Sequence, residues 1–168
     1  MQGKIMDRSD LRELIVGPIA NVPTHFDDRF RVDYGRMAES GLVKGNAVIK
    51  VAVAMGEIAH IRDDEWGPLL KTTVQAAKDK ATVMCDIHYK DTLCTIEDAK
   101  RAADLGAVGV QVTPLIFNDP TQDDILRFFE DLRNHLLRME PPRYLQPALL
   151  VISNNWPTSC YSAILLSR

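Results

Sequence analysis

Apolar residues recur along this chain in two rhythms. Between residues 46 and 55 (Asn46-Ala-Val-Ile-Lys-Val-Ala-Val-Ala-Met55) β-branched residues alternate and the run stops at Gly56, which predicts a buried strand breaking into a loop. Segments 81–86, 107–113 and 147–153 repeat the pattern. Segment 14–23 has strand content too, although Pro18 and Pro23 require an irregular or terminal position. Between these runs the period becomes helical. Trp66, Leu69, Leu70, Thr73, Val74 and Ala77 share one face, with Asp63, Asp64 and Glu65 at the positive end and Pro68 expected in the first turn. Thr95-Ile-Glu-Asp98 has the form of a capping box. Ile96, Ala99, Ala102, Ala103 and Leu105 then line one side, and Gly106 supplies a stop. Thr121 heads a third helix, whose Ile125, Phe128, Phe129, Leu132 and Leu136 follow helical spacing and are expected to pack into a core.

Strands alternating with single helices imply βαβ units, a parallel sheet and the α/β class. Two architectures fit: a flavodoxin-like open sheet, or part of a TIM (β/α)8 barrel, which takes about 250 residues when complete. A length of 168 residues favours the open sheet. The first connection, residues 26–45 with Gly35 and Gly41 inside it, is short enough to predict a shortened or deleted first helix. Residues 1–13 read as a polar leader, 14–137 as the βα region, and 138–168 as a divergent or incomplete segment where the helical period breaks down.

Composition narrows the function classes. The chain is 46% hydrophobic and 26% charged, with a net charge of -3, so it offers no basic field for nucleic acid. Its apolar runs fall short of the roughly 20 residues of a membrane span, and no secretory leader is visible. Three cysteines match neither a zinc set nor a CxxC pair, which reads as reduced thiols in a cytoplasmic protein, with Cys85 a small core residue. His25 and His60 follow strands one and two, and with His88 and Asp86 they raise the idea of a metal site. Their spacing across three loops matches no ligand set, and neither a metal nor a cofactor is expected.

The strand ends carry a resemblance. Val22-Pro-Thr-His-Phe-Asp-Asp28 resembles the segment after strand one in the dihydrodipicolinate synthase/N-acetylneuraminate lyase family. Ala52-Val-Ala-Met-Gly-Glu57 and Ile61-Arg-Asp-Asp-Glu-Trp66 are similar to its GTTGE turn and following helix start. Residues 105–122, with Pro114 and Phe117-Asn-Asp-Pro-Thr-Gln122, resemble its strand four and the segment beyond. Val151-Ile-Ser-Asn154 echoes its strand five. The match runs in order from Leu14 to Leu137 and shifts the expectation from an open sheet to the N-terminal part of a truncated barrel.

The resemblance implies a lyase of the class I aldolase kind, in which a lysine on strand six forms a Schiff base with a 2-keto acid such as pyruvate and a tyrosine relays protons. A homo-oligomer is expected as well. By carry-over, Thr24, Ala54, Met55, Gly56, Glu57, Pro114 and Asn154 are the substrate-binding candidates. Ala54 and Met55 replace the family's paired threonines, Leu115 and Ile116 its paired tyrosines, and Ser153 its strand-five tyrosine. Strand six has no counterpart, so the chain alone is expected to be inactive. Lys90, beside His88, Tyr89 and Asp91 in the loop after strand three, is the substitute amine considered. Lys50 is set aside, because an extended strand would leave it about 20 Å from Gly56. The alternatives are a non-catalytic oligomeric module and a flavodoxin-like binder.

Overall fold

The computed structural model describes residues 18–40, 48–78, 80–88, 90–114, 120–137, 150–152 and 162–166. Leu14, Gly41, Tyr89, Leu115, Ile116, Phe117, Ser153, Asn154, Trp156 and Cys160 lie outside them.

Strands β1 (Ile19–Asn21), β2 (Val48–Val51), β3 (Thr82–His88) and β4 (Gly109–Thr113) hydrogen-bond side by side, all parallel and in chain order. Helices α1 (Tyr34–Ser40), α2 (Asp63–Ala77), α3 (Thr92–Asp104) and α4 (Gln122–Leu137) alternate with them. The order decides between the two architectures. A doubly wound sheet reverses direction at a switch point, whereas a barrel adds each strand beyond the last. The order β1-β2-β3-β4 has no reversal, so these units form part of a (β/α)8 barrel. The first helix is short, seven residues, as the brief connection predicts.

Strand alternation sorts the sheet into two faces. Ile49, Val51, Val83, Cys85, Ile87, Val110 and Val112 join Leu69, Leu70, Ile96 and Ala99 in the core beneath the helices. Register puts Val48, Lys50, Met84, Asp86, His88 and Gln111 on the other face, the interior side of a barrel. Val48 and Met84 are fully buried there.

Several elements differ in detail from their predicted form. The fifth strand, β5 (Leu150–Ile152), does not lie parallel beside β4. A sixth, β6 (Ser162–Leu166), takes that place antiparallel, and β5 pairs antiparallel with β6 at the edge. Helix α3 begins three residues before Thr95, because Asp91 accepts from the Cys94 N–H at 2.9 Å and serves as the cap. Its end is a Schellman turn. Gly106, at φ +96°, donates to the Ala103 carbonyl and Ala107 to that of Ala102, both at 3.0 Å. Pro68 sits in the second turn of α2, where its missing N–H leaves the Asp64 carbonyl without a helical donor. At α4, Asp124 reaches back to the Thr121 N–H at 3.0 Å while its own N–H donates to the Thr121 hydroxyl at 3.2 Å, a capping box.

Strand β2 ends at Val51, four residues before its predicted end. Ala52 turns to φ 54° and the chain leaves the sheet. The apolar run continues only because Val53 is buried without being in a strand.

Candidate active site

The C-terminal ends of β1 and β2 are locked together. Val22 donates its N–H to the Lys50 carbonyl at 2.9 Å, and the Thr24 hydroxyl donates to the Gly56 carbonyl at 2.5 Å. Two 3-10 turns, Ala54–Gly56 and Ile58–His60, meet at Glu57, itself left-handed at φ 58°. Gly56 is required by close approach: a Cβ there would meet the Val22 carbonyl oxygen and Val53 Cγ2 at 3.1 Å. The N–H groups of Gly56, Glu57 and Ile58 are used inside the turns, at 2.9, 3.2 and 3.3 Å. Ala54 and Met55 are exposed at the rim. Phe26, Phe30, Glu57, His60 and Arg62 line an adjoining open cleft of about 430 Å³.

Glu65 fixes the outer wall of this rim. It is 1% exposed, yet it accepts from Arg31 Nε at 2.6 Å, the Val32 N–H at 3.0 Å and the Arg62 N–H at 3.2 Å. Burial pushes its pKa up, but the two backbone donors and the Arg31 guanidinium outweigh burial and hold it below the ordinary 4.5. One carboxylate thereby ties the loop after β1 to the start of α2.

The barrel face carries a polar network spanning three strands. Lys50 Nζ donates to Gln111 Oε1 at 2.5 Å and lies 3.3 Å from Asp86 Oδ1, while His88 Nε2 is 3.0 Å from Asp86 Oδ2. Asp86 is 2% exposed. Lys50 is registered with Met84, and its ammonium reaches up to the level of the next outward pair, Asp86 and Gln111. The placement of Lys50 near a far rim is therefore corrected. Its carbonyl and Gly56 both touch Val22, which sets the two backbones within about 10 Å of each other. The 20 Å expectation assumed an extended strand through Met55.

On the helix side, the segment after β3 is less of a loop than expected: His88 ends the strand and Asp91 caps α3. Lys90 Nζ is held between Asp98 Oδ2 at 2.7 Å and Asp63 Oδ1 at 3.5 Å. Burial works against its charge, but the Asp98 and Asp63 carboxylates raise its pKa above the ordinary 10.5. A Schiff-base amine needs the opposite. A recess of about 100 Å³ lies here, lined in part by Ile61, Trp66, His88, Lys90 and Asp98. Among the described residues no three His, Cys, Asp or Glu side chains converge as a metal site, so His25, His60 and His88 do not form the centre considered above.

No family profile matches the chain. Individual relatives do. It is 35% identical over 114 residues to 4-hydroxy-tetrahydrodipicolinate synthase of Heliobacterium modesticaldum, a match covering 66% of this chain and 38% of that one. It is 33% identical over 97 residues to the synthase of the same name from Acidothermus cellulolyticus, covering 58% and 32%. The fold superposes on dihydrodipicolinate synthase from Aquifex aeolicus with a TM-score of 0.62, at 23% identity, covering 74% of this chain and 42% of that one. The chain resembles the N-terminal part of dihydrodipicolinate synthases in sequence and shares their fold over that part. PhdJ bound to a substrate intermediate superposes with a TM-score of 0.69 at 23% identity, covering 76% and 42%. YagE, a family member from E. coli K12 solved in complex with pyruvate, does so at 0.63 and 19%, covering 72% and 42%. At these identities the superpositions establish the fold. The chain spans less than half the length of the relatives it matches.

Within the family frame, the structure brings Thr24, Gly56 and Glu57 together at one rim, with Ala54 and Met55 beside them. Pro114, buried, follows the end of β4. Asn154 and Ser153 lie outside the described residues. Sequence reading missed the Lys50, Asp86 and Gln111 convergence. A lysine and a glutamine interrupting apolar strands at inward positions were the available signal.

Proposed function

We propose that this chain is part of an aldolase-type lyase of the dihydrodipicolinate synthase family, acting on a 2-keto acid of the pyruvate kind through a Schiff base. The observation that carries the reading is the Thr24–Gly56 lock, built on the family's turn at the C-terminal rim where parallel α/β proteins bind their ligands. Ala54 and Met55 open that turn and lack the family's hydroxyls, and the Gly56, Glu57 and Ile58 N–H groups are used within it, so the keto-acid carboxylate is left to the N–H groups of Ala54 and Met55 at the exposed rim. Thr24, Gly56, Glu57 and Pro114 shape the pocket, with Asn154 and Ser153 contributed from the strand-five position. Residues 14–137 are the barrel units, 1–13 a leader and 138–168 a divergent segment.

The resemblance places the Schiff-base lysine on a parallel sixth strand, and none of the described strands is one. On this reading the chain alone is inactive in the family's full cycle. Strands β1 and β5 stand at the two ends of the described sheet, and their unpaired edges support a homo-oligomer. No described helix is long and apolar enough to cross a membrane, in keeping with a cytoplasmic enzyme.

Saturation-transfer NMR with pyruvate tests the reading, with lactate as the ligand lacking the keto group. Transfer to the pyruvate methyl is expected, weakened in Gly56→Ala with its circular dichroism unchanged. Absence of transfer in the wild type, or equal transfer to lactate, would overturn it.

A further inference from the structure

We infer that the turn after β1 is a self-association surface: the Phe30 ring of one copy seats in the cleft beside Glu57 and Arg62 of a second copy, which returns its own ring to the first. This rests on the homo-oligomer reading above, but it moves the contact from the sheet edges to the turn. The second copy thereby contributes a residue to the candidate rim, whichever ligand the rim takes.

Phe30 is placed at a double disadvantage in the free chain. Its side chain is 81% exposed, and its φ of 58° lies in the left-handed region. Glycine or asparagine would adopt that backbone at less cost, and a polar side chain would face water at less cost. The turn nevertheless holds the ring out on a fixed base. Asp27 Oδ1 accepts from the Arg29 and Arg31 N–H groups at 2.8 and 2.9 Å. The Phe30 N–H donates to the Asp27 carbonyl at 3.0 Å, and the Asp27 N–H donates to the Arg31 carbonyl at 2.8 Å. Arg31 is pinned in turn to Glu65 at 2.6 Å and Asp64 at 2.9 Å. An aromatic ring displayed on so rigid a base loses little freedom on binding, as an interface anchor requires.

The receiving surface is contiguous with the projecting one. Phe30 itself joins Phe26, Glu57, His60 and Arg62 in lining the open cleft of about 430 Å³. One patch therefore carries both a knob and a depression, which a two-fold contact between identical surfaces needs. Charge is complementary as well. The tip offers Asp28 and Arg29, the cleft offers Arg62 and Glu57, and all four are exposed. Among the described residues none of them makes an ion pair within its own chain. Across a two-fold axis Asp28 of one copy meets Arg62 of the other, and Arg29 meets Glu57. Two tips in two clefts bury less than the roughly 1,200 Å² of a standard interface, so the dimer is weak, with a Kd of about 10–100 μM.

The test is sedimentation equilibrium of the whole chain between about 1 μM and 1 mM, a range that brackets that Kd. The wild type is expected to pass reversibly from monomer to dimer. Phe30→Gly relieves the backbone and removes the ring, so association should weaken at least about thirtyfold while the thermal midpoint stays unchanged. Asp28→Arg and Arg62→Asp should each weaken association, and the double variant, with the pair reversed, should recover most of it. A double variant no better than either single one would overturn the pairing. A dimer indifferent to all of these changes lies elsewhere, such as at the β1 edge, and defeats the assignment to the turn alone. A monomer at every concentration removes the homo-oligomer reading as well.

Discussion

The hydroxyl of Thr24 donates a 2.5 Å hydrogen bond to the carbonyl of Gly56, 32 positions along the chain, and so closes the gap between the ends of β1 and β2. The contact is partly buried, and removing the donor leaves a carbonyl short of a partner. Thr24→Val should cost about 1–2 kcal/mol in urea unfolding, and Thr24→Ser should restore most of it. A loss in Thr24→Ser with Thr24→Val near wild type would show that the methyl group matters instead.

Glu65 is expected to make stability depend on acid pH. Its folded pKa lies below the ordinary 4.5, so the clamp on Val32, Arg62 and Arg31 contributes fully above that value and is lost as the pH falls through the lower folded value. Glu65→Ala should destabilise the wild-type fold by about 2–3 kcal/mol at pH 7, since the Val32 N–H loses its acceptor. The difference from wild type should shrink below pH 4.5 in parallel denaturation curves. A constant difference across that range would contradict the clamp.

Two glycines should respond differently to alanine. At Gly67 the added Cβ meets Arg101, the nearest atom being its mobile guanidinium end, which stacks over Trp66 at 5.7 Å. The lost stacking is offset by the roughly 1 kcal/mol that alanine gains in a helix, so a near-neutral effect is expected. At Gly106 the φ of +96° is unfavourable for any side chain and Val74 stands 3.0 Å from the new Cβ. A loss of about 1–2 kcal/mol is expected there by thermal melting.

Competitive acetylation should find Lys90 less reactive than the exposed Lys78. The Asp98 and Asp63 carboxylates keep its amine protonated above the ordinary 10.5. Replacing Asp98 by Asn should raise its labelling rate several-fold. Equal reactivity of the two lysines in the wild type would show that the ion pairs do not persist in solution.

The parallel strands and the apolar faces of the helices were legible because their periods are local properties of the chain. The end of β2 was not. Alternation runs on through Val53 and Met55, while the left-handed turn at Ala52 falls on a residue with no turn signature. That one error displaced Lys50 to the wrong rim and hid the network, whose Gln111 lies 61 positions away. At α3, Asp91 and Thr95 are both competent caps, and composition alone does not choose between them. The insertion of β6 between β4 and β5 is a long-range pairing with no local mark.

The most direct measurement is a titration of the full chain with pyruvate followed by amide proton–nitrogen chemical shifts. Shifts concentrated on Thr24, on Ala54 to Glu57, and on the Lys50 and Asp86 amides are expected. Shifts confined to the opposite ends of the strands, around Thr82 and Gly109, or no saturable shifts at all, would contradict a 2-keto acid site at this rim.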